Sequence, residues 1–262
     1  MKKLVWQLIL AASLILMVVA AVNIFSLNSE YQKGIHTYGE LQQYVMVEDT
    51  TQEEQTEVVQ EEQESSQIPV ELMIDFDALE AMNDEFVGWI YYEPLEISYP
   101  IVRGNDNDYY THYTFEKEEN SSGAIFMDFL NKPDFSHFNT IIYGHNMRNG
   151  TMFGSLKKLL NDQSIIEENP YFYIFTKDKA LMYQICAAYI TNDSSHTYDL
   201  IQTDEEQQEY MDYLKQVSQY DSSLLAEPIQ ENTKLVTLST CHGLHSKNRT
   251  VIHGILIAEE DR

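Results

Sequence analysis

Cys241 is the residue whose position most clearly suggests chemistry. It ends the run Lys234-Leu-Val-Thr-Leu-Ser-Thr-Cys, after which the chain turns polar through His242-Gly243-Leu244-His245-Ser246-Lys247-Asn248. Leu235, Val236 and Leu238 give that run strand character. A thiol at a strand exit beside a loop is accessible, as a nucleophile must be. Cys186 differs. It lies within Gln184-Ile-Cys-Ala-Ala-Tyr, an apolar mid-strand setting where a cysteine is expected to pack as a small hydrophobe. A disulfide joining the two would require close Cα atoms on two strands.

A nucleophilic thiol needs a proton carrier and a cation, and two strand ends offer them. Asn139-Thr-Ile-Ile-Tyr-Gly-His-Asn reads as a strand that releases His145 at its end, with Gly144 relaxing the backbone. Arg249 opens the last apolar run, Arg-Thr-Val-Ile-His-Gly-Ile-Leu, eight residues after Cys241. A hairpin would bring it back beside the thiol, where its fixed charge and five donors could steady a thiolate or an oxyanion. Around His36, His112, His137 and His196 there is no motif. Cys241, His242, His245 and His253 could also be assembled into a zinc site, but their spacing fits no common finger, and no metal or other cofactor is expected.

Positioning these side chains is the work of a mostly β chain. Short β-rich runs separated by turn signals mark strands at Gly88–Tyr92, Ile97–Val102, Ala124–Met127, Thr140–His145, Phe172–Thr176, Leu181–Ile190, Leu235–Cys241 and Val251–Ala258. That number suits a closed barrel or a sandwich. Three helical patterns accompany them: Asp75 to Met82, Phe153 to Leu160, and Asp204 to Tyr220. The last has Asp204 as its expected cap and Tyr210, Tyr213, Leu214 and Val217 on one face.

The N-terminal quarter has another character. Lys2 and Lys3 precede Leu4 to Val22, in which only Gln7 and Ser13 are polar. A run of that length spans the ~30 Å hydrocarbon layer as a helix, and the lysines predict that its start stays cytoplasmic. A cleaved signal peptide with Val19-Ala20-Ala21 near its cleavage point is the alternative. Either reading puts the remainder outside the membrane. Glu48 to Ser66 is acidic and poor in large apolar residues, so it reads as a stalk, with a short helix expected first over Glu30 to Val47. The expected division is therefore an anchor at 1–27, a stalk at 28–68 and a folded domain at 69–262. Of the net charge of −26, the anchor contributes +2 and the stalk −9, which leaves −19 on the domain. Nucleic-acid binding, which needs clustered cations, is excluded on this balance.

Thr237-Leu-Ser-Thr-Cys241 resembles the TLxTC signature of sortases, the Gram-positive cell-surface cysteine transpeptidases, and His145 and Arg249 complete their His–Cys–Arg order. Class B is indicated by Tyr143-Gly-His-Asn-Met147 with Met152-Phe-Gly-Ser-Leu156, by Gly123-Ala-Ile-Phe-Met-Asp128, and by Tyr99-Pro-Ile-Val102 with Asp106-Asn-Asp-Tyr-Tyr110. The resemblance covers about residues 70–262. The loop His242-Gly-Leu-His245 matches no specificity motif of the family. Papain-like proteases fit less well, because their Cys precedes their His.

The resemblance implies an eight-stranded sortase-like β-barrel with a few peripheral helices behind one transmembrane helix. It also implies a Cys241 thioester with the Thr of a C-terminal sorting signal resembling Asn-Pro-x-Thr. His145 would act as acid and base, and Arg249 would hold the carbonyl oxygen. Asn107, Thr111, Leu200, Ile201 and Ser239 fall where the substrate groove is expected. The implied partners are surface proteins carrying the signal and an amine of a peptidoglycan precursor, or less often a pilin lysine. A non-catalytic surface-binding domain and a plain thiol protease are the rival readings. Neither rival needs an acceptor amine.

Overall fold

The computed structural model describes residues 2–47, 68–230, 232–243 and 246–262. Helix α1 (Lys2–Leu41) leads to β1 (Val45–Val47), which pairs antiparallel with β2 (Leu72–Ile74). There follow α2 (Phe76–Met82), β3 (Phe86–Tyr92), β4 (Ile97–Val102), α3 (Tyr109–His112), β5 (Ile125–Met127), β6 (Asn139–Tyr143), α4 (Lys157–Asn161), α5 (Ser164–Glu168), β7 (Tyr171–Phe175), β8 (Lys179–Asn192), α6 (Asp204–Val217), β9 (Leu235–Cys241) and β10 (Asn248–Asp261). Strands β3 to β10 close into a barrel in the order β10-β8-β7-β3-β4-β5-β6-β9. All eight expected strands are present, and closure decides for the barrel over the sandwich.

Two helical expectations shift. Thr203, not Asp204, caps α6: its Oγ1 accepts from Glu206 N–H, while the Glu206 carboxylate returns to Thr203 N–H. That reciprocal pair satisfies two of the free donors at the helix start. The helix expected from Phe153 forms only at Lys157–Asn161, because Phe153 N–H is tied back to His145 C=O at 3.0 Å.

Helix α1 contains a window of mean hydropathy 2.7, long and apolar enough to cross a membrane. It runs on through the expected anchor–stalk boundary and buries Tyr38 and Leu41 against the barrel. The acidic stretch Glu48–Ser66, expected as the stalk, lies outside the described residues. Gly144 is needed for packing rather than for an unusual backbone: a Cβ there would sit 2.4 Å from Ile125 Cδ1 and 2.8 Å from the Phe153 ring.

Side chains alternate across a strand. On β9 and β10 one set, Val236, Leu238 and Ile252, enters the main core. The other set faces α6, where Leu235 and Val251 pack with Cys186, Tyr189, Tyr210, Met211 and Leu214 in a second core. Between α6 and these strands lies a buried polar chain whose proton directions can be assigned. Thr237 Oγ1 donates to Asn139 Oδ1 (2.7 Å), so it must accept from His253 Nδ1–H (2.9 Å). His253 Nε2 then accepts from Tyr189 O–H, Tyr189 from Thr197 and Thr197 from Tyr213. Asn139 Nδ2 donates to Tyr210, whose hydroxyl donates to Thr197 C=O. Every partner is satisfied, which is what makes such a network tolerable inside a protein. His253, one of the four residues of the zinc alternative, therefore has both ring nitrogens engaged in the core; His245 of that set lies outside the described residues.

Burial pushes the His253 pKa from 6.5 down to about 3, so the folded protein keeps this ring neutral. Above 6.5 the ring is neutral in both folded and unfolded chains and contributes no pH dependence. Below it the unfolded chain alone takes up the proton, and stability falls by up to about 1.4 kcal/mol per pH unit. The expected outcome is a urea midpoint that drops between pH 6.5 and 4.5. His253→Gln should be less stable at pH 7 and show a shallower slope over the same range.

Candidate active site

The site is set by strand register. Strands β6 and β9 run parallel, with Thr140 opposite Val236 and Tyr143 opposite Ser239. Gly144 N–H continues the ladder to Ser239 C=O at 3.1 Å. Thus His145 and Cys241 each emerge two residues beyond the last paired position, at the same end of the barrel. On the other side β10 is antiparallel to β9, with Arg249 directly opposite Cys241. Directly opposed residues project from the same face of a sheet. Asn146 Nδ2 donates to Cys241 C=O at 2.7 Å and so fastens the His loop to the Cys strand.

His145, Cys241 and Arg249 line a cavity of about 420 Å³ together with Asn107, Thr111, Ser239 and Thr240. Its aromatic wall is Phe126, Tyr143 and Tyr198, with Tyr143 stacked on Tyr198 at 6.2 Å between ring centres. Asp128 anchors one side: its Oδ2 accepts from Asn107 Nδ2 (2.8 Å) and from Tyr143 O–H (2.9 Å). Asn107 Oδ1 accepts from Phe129 N–H, so the orientation of its amide is fixed, with the nitrogen on the Asp128 side. Burial, and then the Asp128 carboxylate, holds the Tyr143 hydroxyl above the usual phenol range. The Tyr198 hydroxyl, bonded to Ser239 Oγ at 2.8 Å, is pushed up to about 12, chiefly by burial. Both therefore stay protonated at neutral pH.

The imidazole of His145 has a definite tautomer. Its Nε2 lies 2.7 Å from Thr111 C=O, which can only accept, so Nε2 carries hydrogen and Nδ1 is the nitrogen with a free lone pair. Arg249 is held by Ser246 C=O at 2.9 Å and by the Asp193 carboxylate at 3.5 Å. Asp193 is itself fixed by its N–H on Lys247 C=O. Cys186 and Cys241 are both free thiols: Cys186 is fully buried, with its pKa pushed up by burial, and Cys241 is half-exposed.

Of the residues expected from sequence, His145, Cys241, Arg249, Asn107, Thr111 and Ser239 meet in this cavity, whereas Leu200 and Ile201 do not. The chain leaves the cavity at Tyr198, and Leu200 and Ile201 line a neighbouring pocket with His196, Asp199, Glu206 and Tyr213. Sequence reasoning missed Asp128, Tyr143, Asn146, Asp193 and Tyr198. Asp128, Tyr143 and Asn146 lay inside the quoted class B segments without an assigned part; no sequence signal marked Asp193 or Tyr198, whose contacts cross 56 and 41 residues.

The sortase domain model matches residues 90–257, well over half of the chain. The chain belongs to the sortase family. Sortase B of Listeria monocytogenes is 35% identical over 184 residues, covering 69% of this chain and 73% of that one. Sortase B of Bacillus anthracis superposes with a TM-score of 0.69 at 29% identity, over 87% of this chain and 98% of that one. A Staphylococcus aureus sortase B–substrate complex gives 0.63 at 31% identity, over 70% and 84%. This is a class B sortase, a cysteine transpeptidase, and its apolar α1 is consistent with a membrane-anchored sortase.

Alkylation of the folded protein with iodoacetamide should modify Cys241 and spare Cys186, and unfolding should expose both. Peptide mapping by mass spectrometry checks this; equal labelling of the two in the native state would contradict the burial described.

Proposed function

We propose that Cys241 is the nucleophile, His145 the proton carrier and Arg249 the oxyanion donor of this sortase. The observation that carries the reading is the convergence of these three side chains, from three adjacent strands, on one cavity. The Cys241 thiolate attacks the carbonyl carbon of the Thr in a sorting signal resembling Asn-Pro-x-Thr. An Arg249 N–H donates to the oxyanion that develops. As the C–N bond breaks, protonated His145 gives its Nδ1 proton to the leaving amine, and a thioester remains. An acceptor amine then attacks the thioester, returns a proton to Nδ1 and releases the thiolate. The acceptor class is an amine of a peptidoglycan precursor or a pilin lysine.

Asn107 and Ser239, with Thr111, lie along the cavity as the contacts expected for substrate. Leu200 and Ile201, in the next pocket, are suited to a substrate residue farther from the scissile bond. Lys2 and Lys3 favour a cytoplasmic start for α1, which leaves the barrel outside, where exported substrates and wall precursors meet it. Tethering at the membrane also raises the effective concentration of membrane-held substrates.

Three expected outcomes test the reading. Cys241→Ala should abolish thioester formation with a sorting-signal peptide, while Cys186→Ala retains it. Arg249→Lys should lose at least about a hundredfold in kcat/KM, because an ammonium cannot reproduce the planar fork that Asp193 and Ser246 orient. Activity within a few-fold of wild type would show that charge alone suffices. The reactive state needs a thiolate and an imidazolium together. Because one group must be deprotonated and the other protonated, kcat/KM should trace a bell against pH. Mass spectrometry of the product with and without an added amine separates transpeptidation from plain proteolysis.

A further inference from the structure

The helix that carries the apolar span also reaches the wall of the active site. Beyond the span, α1 is fastened to the segment between α3 and β5 at successive points. Glu30 C=O accepts from Asn120 Nδ2 at 3.1 Å, and the Glu30 carboxylate accepts from Ser121 N–H at 2.9 Å. Lys33 pairs with Glu118 at 2.7 Å. Two helical turns after Glu30, the buried Tyr38 hydroxyl donates to Gly123 C=O at 2.6 Å and accepts from Phe115 N–H at 3.3 Å. The Tyr38 ring stands edge-on to Tyr99 at 5.5 Å, and the Tyr99 hydroxyl accepts from Met152 N–H in the loop that follows His145.

Gly123 is where this fastening meets the imidazole. Its φ is +54°, in the left-handed region. A Cβ on it would sit 3.0 Å from His145 Cδ2, 3.0 Å from Thr111 C=O and 2.5 Å from Tyr110 C=O. The backbone of Gly123 therefore passes so near both halves of the His145–Thr111 hydrogen bond, which sets the tautomer, that no side chain fits between. It can be so close only because it lacks a side chain and its conformation is held. The next residue repeats the attachment, with Ala124 N–H on Tyr110 C=O at 2.9 Å.

We propose that Tyr38 is a positioning residue for His145: through the Gly123 carbonyl it holds the backbone against which the imidazole and its Thr111 partner are seated, so that the membrane-proximal half of α1 is part of the catalytic body. The inference rests on the reading of His145 as proton carrier given above. Tyr38 itself touches neither substrate nor thiol. Its contribution is to the ring's aim, and a small misplacement of a proton carrier is costly: displacements near 1 Å cost up to about a hundredfold.

The test uses the full-length protein in detergent with a sorting-signal peptide. Tyr38→Phe keeps the ring on Tyr99 and removes only the hydroxyl. Its kcat, per thiol titrated by alkylation, should fall about tenfold, with KM within about twofold of wild type. The iodoacetamide rate at Cys241 should change with it, and that change should vanish in the His145→Ala background. Lys33→Ala, which breaks only the exposed ion pair, should leave kcat unaltered. If Tyr38→Phe does not fold, Glu30→Ala carries the same readings, with a smaller fall in kcat at unchanged KM. An unaltered kcat per titrated thiol, or an alkylation change that persists without His145, would overturn the inference. A null result for Tyr38→Phe beside an inactive His145→Ala overturns the inference alone. Full turnover by His145→Ala overturns it together with the role of His145.

Discussion

Everything in the site depends on the parallel pairing of β6 with β9. Antiparallel neighbours would have carried His145 and Cys241 to opposite ends of the barrel; parallel register brings both to one rim. Antiparallel β10 then adds Arg249 at the same rim, because a hairpin returns the chain to its starting edge. One parallel and one antiparallel neighbour on a single strand suffice to bring together Cys241, Arg249 from the next hairpin strand and the sequence-distant His145.

The same strand shows how the barrel supports that rim. Leu235, Thr237, Ser239 and Cys241 occupy alternate positions on one face of β9. Leu235 lies in the apolar core under α6, Thr237 joins the polar chain through His253, Ser239 meets Tyr198, and Cys241 reaches the cavity. Leu235, Thr237 and Ser239 are all buried, and only Cys241 at the strand's end is partly exposed. The apolar and hydrogen-bonded positions hold the strand rigid, which leaves its last residue free to be exposed. Sites built on strands in this way are held more closely than sites on loops.

Much of this was legible in the sequence. Strand-forming runs ending in a polar break located His145 and Cys241, and the hairpin distance located Arg249. The eight strands followed from β-rich runs between turn signals. What was not legible is long-range. Asp128 lines the cavity because Asn107 and Tyr143 converge on it from two elements, and no local pattern announces that. The chain's turn after Tyr198, which takes Leu200 and Ile201 into the adjacent pocket, depends on the Ser239 contact 41 residues away. Glu30 to Val47 reads as a short helix beginning an acidic stalk, whereas the helix ends at Leu41 and Val45–Val47 is a strand. Only the barrel surface shows that Tyr38 and Leu41 belong to the folded body.

Closure of the barrel also governs when the site is assembled. Asn139 and Thr237, joined side chain to side chain across β6 and β9, are 98 residues apart, and Arg249 lies farther still. Contacts at such separation form only after a large loop-closure entropy has been met. A chain crossing a membrane from its N-terminus would present Cys241 before β10 exists to set Arg249 opposite it. The rim is therefore completed only by β10. Synthesis order alone thus leaves Cys241 without Arg249 opposite it until β10 has been made and paired.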